Sequence, residues 1–193
     1  VTSAQLAGRI PPRAAPTWQE DAVDTELDLG MLIIRLALGP MLIAHGYNKV
    51  FGGGGLAGTT RWFDGLGLKP AWLHARIAPV NEIGAGILLT LGLATPLAAA
   101  AFVGLMTVAS LTDHRGKGYF VFKGGWEYTL LVGIVAVGVA AIGPGDWSVD
   151  ELLGWEWYGV GWAVFAAVLG VGAALLLLAV SYRPAPKAEE ANA

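Results

Sequence analysis

The 193-residue sequence contains no cysteine. Disulfides, a thiol nucleophile, thiolate-bound iron–sulfur clusters and covalently attached haem are therefore excluded. Histidine is scarce, with three residues in all, so a multi-histidine metal centre is not expected and no metal site is assigned. Charge is scarce as well. Only 14% of residues are charged, whereas a soluble domain carries about 25%. The net charge of −3 comes with no basic stripe, which argues against a nucleic-acid partner. There is no phosphate loop, no GxSxG and no pair of histidines at metal spacing. The glycines Gly52–Gly55 follow no strand, so they read as a flexible tether rather than a nucleotide fingerprint.

What the chain has instead is apolar sequence. Hydrophobic residues make up 55%, with 28 glycines and 8 tryptophans. Spanning about 30 Å of hydrocarbon takes about 20 helical residues. Five segments are long enough, or nearly so: about 29–51, 72–93, 96–112, 126–142 and 160–182. They predict an all-α, polytopic membrane helical bundle of four core transmembrane helices plus a fifth, C-terminal transmembrane helix. Residues 1–28 hold Pro11, Pro12 and Pro16 and then an acidic run from Glu20 to Asp28, with no apolar core. They read as a disordered polar tail rather than a signal peptide. The transmembrane domain is placed at 29–182, and 183–193 as a second disordered tail.

The connections carry signals of their own. Residues 52–71 read as a short amphipathic helix with Trp62, Phe63 and Leu66 on one side. Pro70 is placed in the first turn of the next helix. Tyr119–Phe122 is an apolar run between glycines. Ser148-Val-Asp-Glu151 is a capping-box pattern, and Trp147, Trp155, Trp157 and Tyr158 suit a headgroup-level belt. Counting crossings puts Arg9 and Arg13 on one side of the membrane. Lys49, Arg61, Lys69, Arg76, Arg115, Lys117, Lys123, Arg183 and Lys187 fall on the other. Positive residues stay inside, so the N-terminus is expected outside and the C-terminus in the cytoplasm.

Ionisable groups inside spans are expensive and call for partners or a purpose. At about 100° per residue, Arg35, Leu38, Leu42, His45 and Lys49 share one helical face. Asn81 and Glu82 follow in the second span, His114 ends the third, and Glu127 starts the fourth. Topology therefore brings His45, Lys49, Glu82, His114 and Glu127 toward the cytoplasmic half of the bilayer. Each has a plainer reading beside this one. Lys49 also reads as a snorkelling end residue, and His114 and Glu127 as water-boundary groups. Glu82 can be a structural ion pair, Arg35 a partner of a buried carboxylate or of backbone carbonyls, and His45 a hydrogen-bonded core histidine. His74 reads as interfacial, and Gly84, Gly86 and Gly92 as close helix packing. His45 and His114 at similar depth are a weak basis for a b-type haem.

The order Arg35-Leu-Ala-Leu-Gly39, Ala44-His45-Gly46 with Lys49, Phe63 and Gly67-Leu68 continues through Glu82-x-Gly84-x-Gly86, Gly92-Leu-x-Thr95, His114 and Gly125-x-Glu127. It closes on Gly143-Pro-Gly145 with Ser148 and Asp150. This order, over residues 29–152, resembles the DoxX family of small bacterial membrane proteins. The resemblance implies a four-helix bundle in the bacterial inner membrane and redox chemistry at the quinone pool. It also implies partners in a membrane redox or oxidative-stress complex, since relatives include the membrane subunit of thiosulfate:quinone oxidoreductase. The long N-terminal stretch and the fifth helix depart from the family pattern.

Taken together, the expected function is a quinone-contacting membrane subunit of an oxidoreductase assembly. Glu82 and His45 handle protons, and Arg35, Lys49, Asn81, His114 and Glu127 complete the polar cluster. Electrons come from a partner protein. The alternative is a non-catalytic scaffold that docks partner proteins through its exposed aromatics (Trp62, Phe63, Tyr119, Phe122) and tails. A permease is disfavoured by the lack of an inverted repeat.

Overall fold

The first helix, α1, runs Thr17–Phe51 and so begins well before the apolar stretch does. The computed structural model describes residues 17–184. Residues 17–28, read from sequence as part of a polar tail, are therefore helical, while 1–16 and 185–193 lie outside the described residues. The physical reason is local. After Pro16 no proline or glycine interrupts the chain until Gly30, and acidic residues suit the first turns of a helix, where the macrodipole is positive.

Six further α-helices follow: α2 Gly55–Leu66, α3 Ala71–Leu91, α4 Thr95–Leu111, α5 Glu127–Ile142, the single turn α6 Val149–Leu152, and α7 Val160–Ser181. Among the described residues no strand forms; one isolated bridge joins Leu68 to Tyr182. Pro70 caps α3 from outside its first turn. At the other end of α3, Gly92 adopts φ 62°, and the N–H groups of Gly92 and Leu93 bond back to Leu89 and Leu88. This is the six-to-one and five-to-two closure that ends helices on a left-handed residue. Two residues later α4 begins, so α3 and α4 form an antiparallel hairpin.

Packing follows small residues. Helix α1 lies against α3, with Gly39 facing Gly86. A Cβ on Gly86 would stand 2.6 Å from the Gly39 carbonyl oxygen. Gly46 faces Pro79 and Glu82 in the same way, where a Cβ would meet the Pro79 oxygen at 2.9 Å. Helix α7 lies against α4, with Gly170 facing Ala100 and Val103. Gly84 points away from all of this, with nothing within 4 Å, so the packing role read for it belongs to Gly86 instead. Backbones can approach this closely only where side chains are absent, and such approach drives helix association when lipid removes the hydrophobic term.

The main core joins α1, α3, α4, α5 and α7 through Met31, Leu42, Leu89, Phe102, Val139 and Ala166. Thus α7 is no appendage to a four-helix core. Ala166 and Ala174 are buried in it, and its end is tied back by Lys69 N–H to Ser181 O (2.8 Å) and Arg183 N–H to Gly67 O (2.7 Å). By length and composition, Thr25–Phe51 and Val160–Ser181 can each cross a bilayer, and Thr95–Leu111 and Glu127–Ile142 are shorter apolar helices.

Candidate functional site

The polar residues separate into two sites at opposite ends of the bundle. The first is built around the middle of α1, where α3 turns into α4 and the α5–α7 connection crosses over. Arg35 is buried there, 1% exposed. Its Nη2 donates to the Trp147 carbonyl at 2.5 Å, while Nε and Nη1 have no hydrogen-bond partner in the protein. Compensating negative charge comes from Asp150 and Asp28. Asp150 is equally buried. It accepts from Ala94 N–H (2.6 Å), Thr95 N–H (2.9 Å) and Thr95 Oγ1 (2.7 Å), and so caps α4 from a distant segment. Asp28 accepts from Asp146 N–H at 2.8 Å. The Ser148 hydroxyl accepts from Glu151 N–H at 3.2 Å, the first half of the capping box. Gly92 carries no side chain because its Cβ would meet Ser148 Cβ at 2.6 Å. This end is a clasp: Asp150, Asp28, Ser148 and Arg35 Nη2 each bond to the backbone of a turn or a helix end.

The second site lies at the opposite end, where α1 and α4 finish and α3 and α5 start, with α2 laid across α1 and α3. Lys49 Nζ donates to Glu82 Oε1 at 2.6 Å. Both side chains are nearly buried, 12% and 9% exposed. Glu82 Oε2 is buried and has no hydrogen-bond partner in the protein. The Trp62 ring of α2 stands 5.7 Å from Lys49 Nζ, within range of a cation–π contact. Helix α2 is itself anchored by Thr59 Oγ1, which donates to the Lys49 carbonyl at 2.7 Å.

These groups open into a cavity of about 470 Å³, within the usual range for small-molecule sites. Its polar end holds His45, Lys49, Glu82, Asn81, His74 and His114. The remaining walls are apolar or aromatic: Trp62, Phe63, Leu66, Leu105, Tyr128 and Leu177 among them. Helix α7 contributes Ala173, Ala174 and Leu177.

Set against the sequence expectations, Lys49 and Glu82 meet directly, and His45, Asn81 and His114 reach the same cavity. The His114 ring is already engaged, its Nδ1 2.6 Å from the Gly124 carbonyl oxygen. Glu127 does not line the cavity: its Oε2 accepts from Val121 N–H at 2.9 Å and closes the 119–127 loop. Arg35 is not there either, because it belongs to the clasp. His74, read as interfacial, is buried with Nε2 3.4 Å from Lys69 O. Phe63, read as an exposed docking aromatic, is buried, while Tyr119 and Phe122 are exposed. The sequence reading missed the α7 wall. Its signal was the spacing Ala166, Gly170, Ala174, one small residue per turn, which marks a helix face meant for close packing.

Residues 30–115 match the DoxX family model. They include α1 from Gly30 onward and all of α2, α3 and α4, and therefore His45, Lys49 and Glu82. Among curated proteins, the chain is 28% identical over 110 residues to "Putative oxidoreductase CatD" of Bacillus subtilis, covering 57% of this chain and 78% of the relative. It is 29% identical over 152 residues to "Uncharacterized membrane protein Rv3486" of Mycobacterium tuberculosis, covering 72% of this chain and 90% of the relative. It is 25% identical over 130 residues to "Inner membrane protein YqjF" of Escherichia coli, covering 67% of this chain and 96% of the relative. No solved structure matches. Over residues 30–115 the chain carries a DoxX family domain, and it is similar to curated relatives named as membrane proteins.

Proposed function

We propose that this protein is a quinone-contacting subunit of a membrane oxidoreductase assembly, with the headgroup seated against Lys49 and Glu82. The observation that carries this reading is the buried Glu82 Oε2, unpartnered within the protein, at the polar end of a cavity with apolar walls. A buried charged oxygen with no partner is costly, and its position suits a ligand that offers a polar ring and an apolar body. The resemblance to a relative named as an oxidoreductase points the same way.

A quinone supplies two-electron acceptor chemistry, taking up two protons for each quinol formed. In this reading the electrons come from a partner redox protein. Lys49 has three donors, and one is used on Glu82, so another can donate to a ring oxygen and stabilise charge that develops there. Glu82 Oε2 holds and delivers a proton. His45 lines the cavity but is largely exposed, so it can resupply Glu82 from outside. Arg35 has no part in this: it lies in the clasp. The membrane is the bacterial inner membrane, with the cavity end facing the cytoplasm.

Photolabelling with an azido-quinone, on protein retained in its native assembly, tests the reading. Label is expected on the segments around His45–Lys49 and Ile77–Glu82. Glu82→Gln is expected to lower quinone-linked turnover of the assembly about a hundredfold. No label near Glu82, together with unchanged turnover in that variant, would falsify it. The scaffold reading is favoured by one feature, the exposed Tyr119–Phe122 loop, with Phe122 77% exposed. That reading expects partner co-purification to be lost on Phe122→Ser while Glu82→Gln has no effect.

A further inference from the structure

A second depression, of about 580 Å³, runs along the outer face of α3. It is lined by Ile77, Val80, Gly84 and Leu88 of α3 and by Ala101 of α4, with Arg76 and Asn81 at its polar end. Ile77 and Asn81 also line the cavity that holds Lys49 and Glu82. The two spaces therefore share a wall. From Ile77 to Leu88 the groove follows the helix for about 16 Å at 1.5 Å per residue. Positions 77, 80, 81, 84 and 88 form one stripe at helical spacing, and the stripe changes character along its length. It is charged at Arg76, polar at Asn81 and wholly apolar beyond.

Gly84 is the floor of this groove. Unlike Gly39, Gly46 and Gly86, it has no neighbour that a side chain would strike. Helix packing therefore does not account for a glycine here, and a glycine in mid-helix costs about 1 kcal/mol relative to alanine. What its missing side chain leaves is room on the outward face. Val80, 72% exposed, forms one lip of that room.

We infer that this groove holds the isoprenoid tail of the quinone whose headgroup occupies the adjoining cavity, with Ile77 and Asn81 marking the junction of ring and tail. The inference rests on the quinone reading above and adds its ligand class: a long-tailed membrane quinone rather than a soluble, tail-free one. Adjacency of the groove to the cavity, through the shared residues Ile77 and Asn81, selects the tail over a bulk acyl chain. An acyl chain would have no reason to line up with a polar cavity at one end. Asn81 is placed to donate its amide N–H to a ring oxygen or ring substituent at the point where the wall turns apolar.

The test is equilibrium retention of two radiolabelled probes by the full chain in nanodiscs: a long-tailed isoprenoid quinone and the tail-free quinone with the same ring. Gly84→Phe fills the groove from α3, and Ala101→Phe fills it from α4. Each is expected to weaken retention of the tailed probe about tenfold or more, the equivalent of two or three methylenes losing their contacts. Retention of the tail-free probe should stay as in the wild type, which also shows that each variant is folded. If both variants retain the tailed probe as the wild type does, the groove carries bilayer lipid and the inference is overturned. If the wild type retains neither probe, the quinone reading itself fails, and the inference falls with it.

Discussion

Asp150 accepts three hydrogen bonds across the fold and faces a buried guanidinium, so it is the residue whose loss the clasp tolerates least. Removing its carboxylate orphans three donors, each costing about 1–3 kcal/mol when buried, and leaves Arg35 without its main counter-charge. It also frees Ala94, a non-glycine held at φ 49°, a conformation costing about 1–2 kcal/mol. Asp150→Ala is therefore expected to lower the melting temperature in detergent by about 6–12 °C, from a loss of about 3 kcal/mol. Tryptophan fluorescence during heating measures this, and an unchanged midpoint would remove the clasp as a stabilising feature. Sequence alone brought Lys49 and Glu82 toward the same depth, among five converging groups, because depth follows from the rise per residue and the number of crossings. It misplaced Arg35 for a related reason. Periodicity puts Arg35 on the face of His45 and Lys49, but ten residues of helix separate it from His45 by about 15 Å. Its counter-charges Asp150 and Asp28 and its acceptor Trp147 lie in the α5–α7 connection and in a presumed tail, where no periodicity operates.

Among elements, the contact between α1 and α3 decides whether the site exists. These two helices carry Lys49 and Glu82, and Gly39, Gly46 and Gly86 set how closely they approach. Overpacking at such a point costs about 1–3 kcal/mol and shifts backbone. Gly86→Val should thus push α1 from α3 and separate the ion pair, whereas Gly84→Val should not, since Gly84 faces open space. Spin labels at Tyr47 and Val80, both well exposed, report the spacing by electron–electron distance measurement. A widening in Gly86→Val alone is expected; the same distance in both variants would show that glycine identity does not set this contact. The sequence reading grouped Gly84, Gly86 and Gly92 because all are small. Only neighbours on another helix tell them apart. Gly86 is a contact, Gly92 is a left-handed helix end, and Gly84 is open. Helix boundaries after α1 were legible to within a few residues, since glycines and prolines punctuate them.

For the whole molecule, the two ends differ in charge as sharply as they differ in architecture. Among the described residues, the cavity end holds Lys49, Arg61, Lys69, Arg76, Arg115, Lys117, Lys123 and Arg183 against Asp64, Glu82, Asp113 and Glu127, whereas the clasp end holds Glu26, Asp28, Asp146, Asp150, Glu151 and Glu156 against the buried Arg35. By the positive-inside bias the cavity is expected to face the cytoplasm, where the electron donor for the proposed reaction and the proton supply for His45 would both be found. Because the sequence has no cysteine, a single introduced thiol reports its own side against a silent background. Phe122→Cys in the cavity-end loop and Leu152→Cys at the clasp end replace side chains that are 77% and 84% exposed. In intact cells a membrane-impermeant maleimide is expected to label position 152 and to leave position 122 unlabelled until the cells are broken. The reverse pattern would invert the protein and place the proton-handling end outside. Labelling of both positions in intact cells would place them on one face and so remove the crossing assigned to α5, the long helix between them.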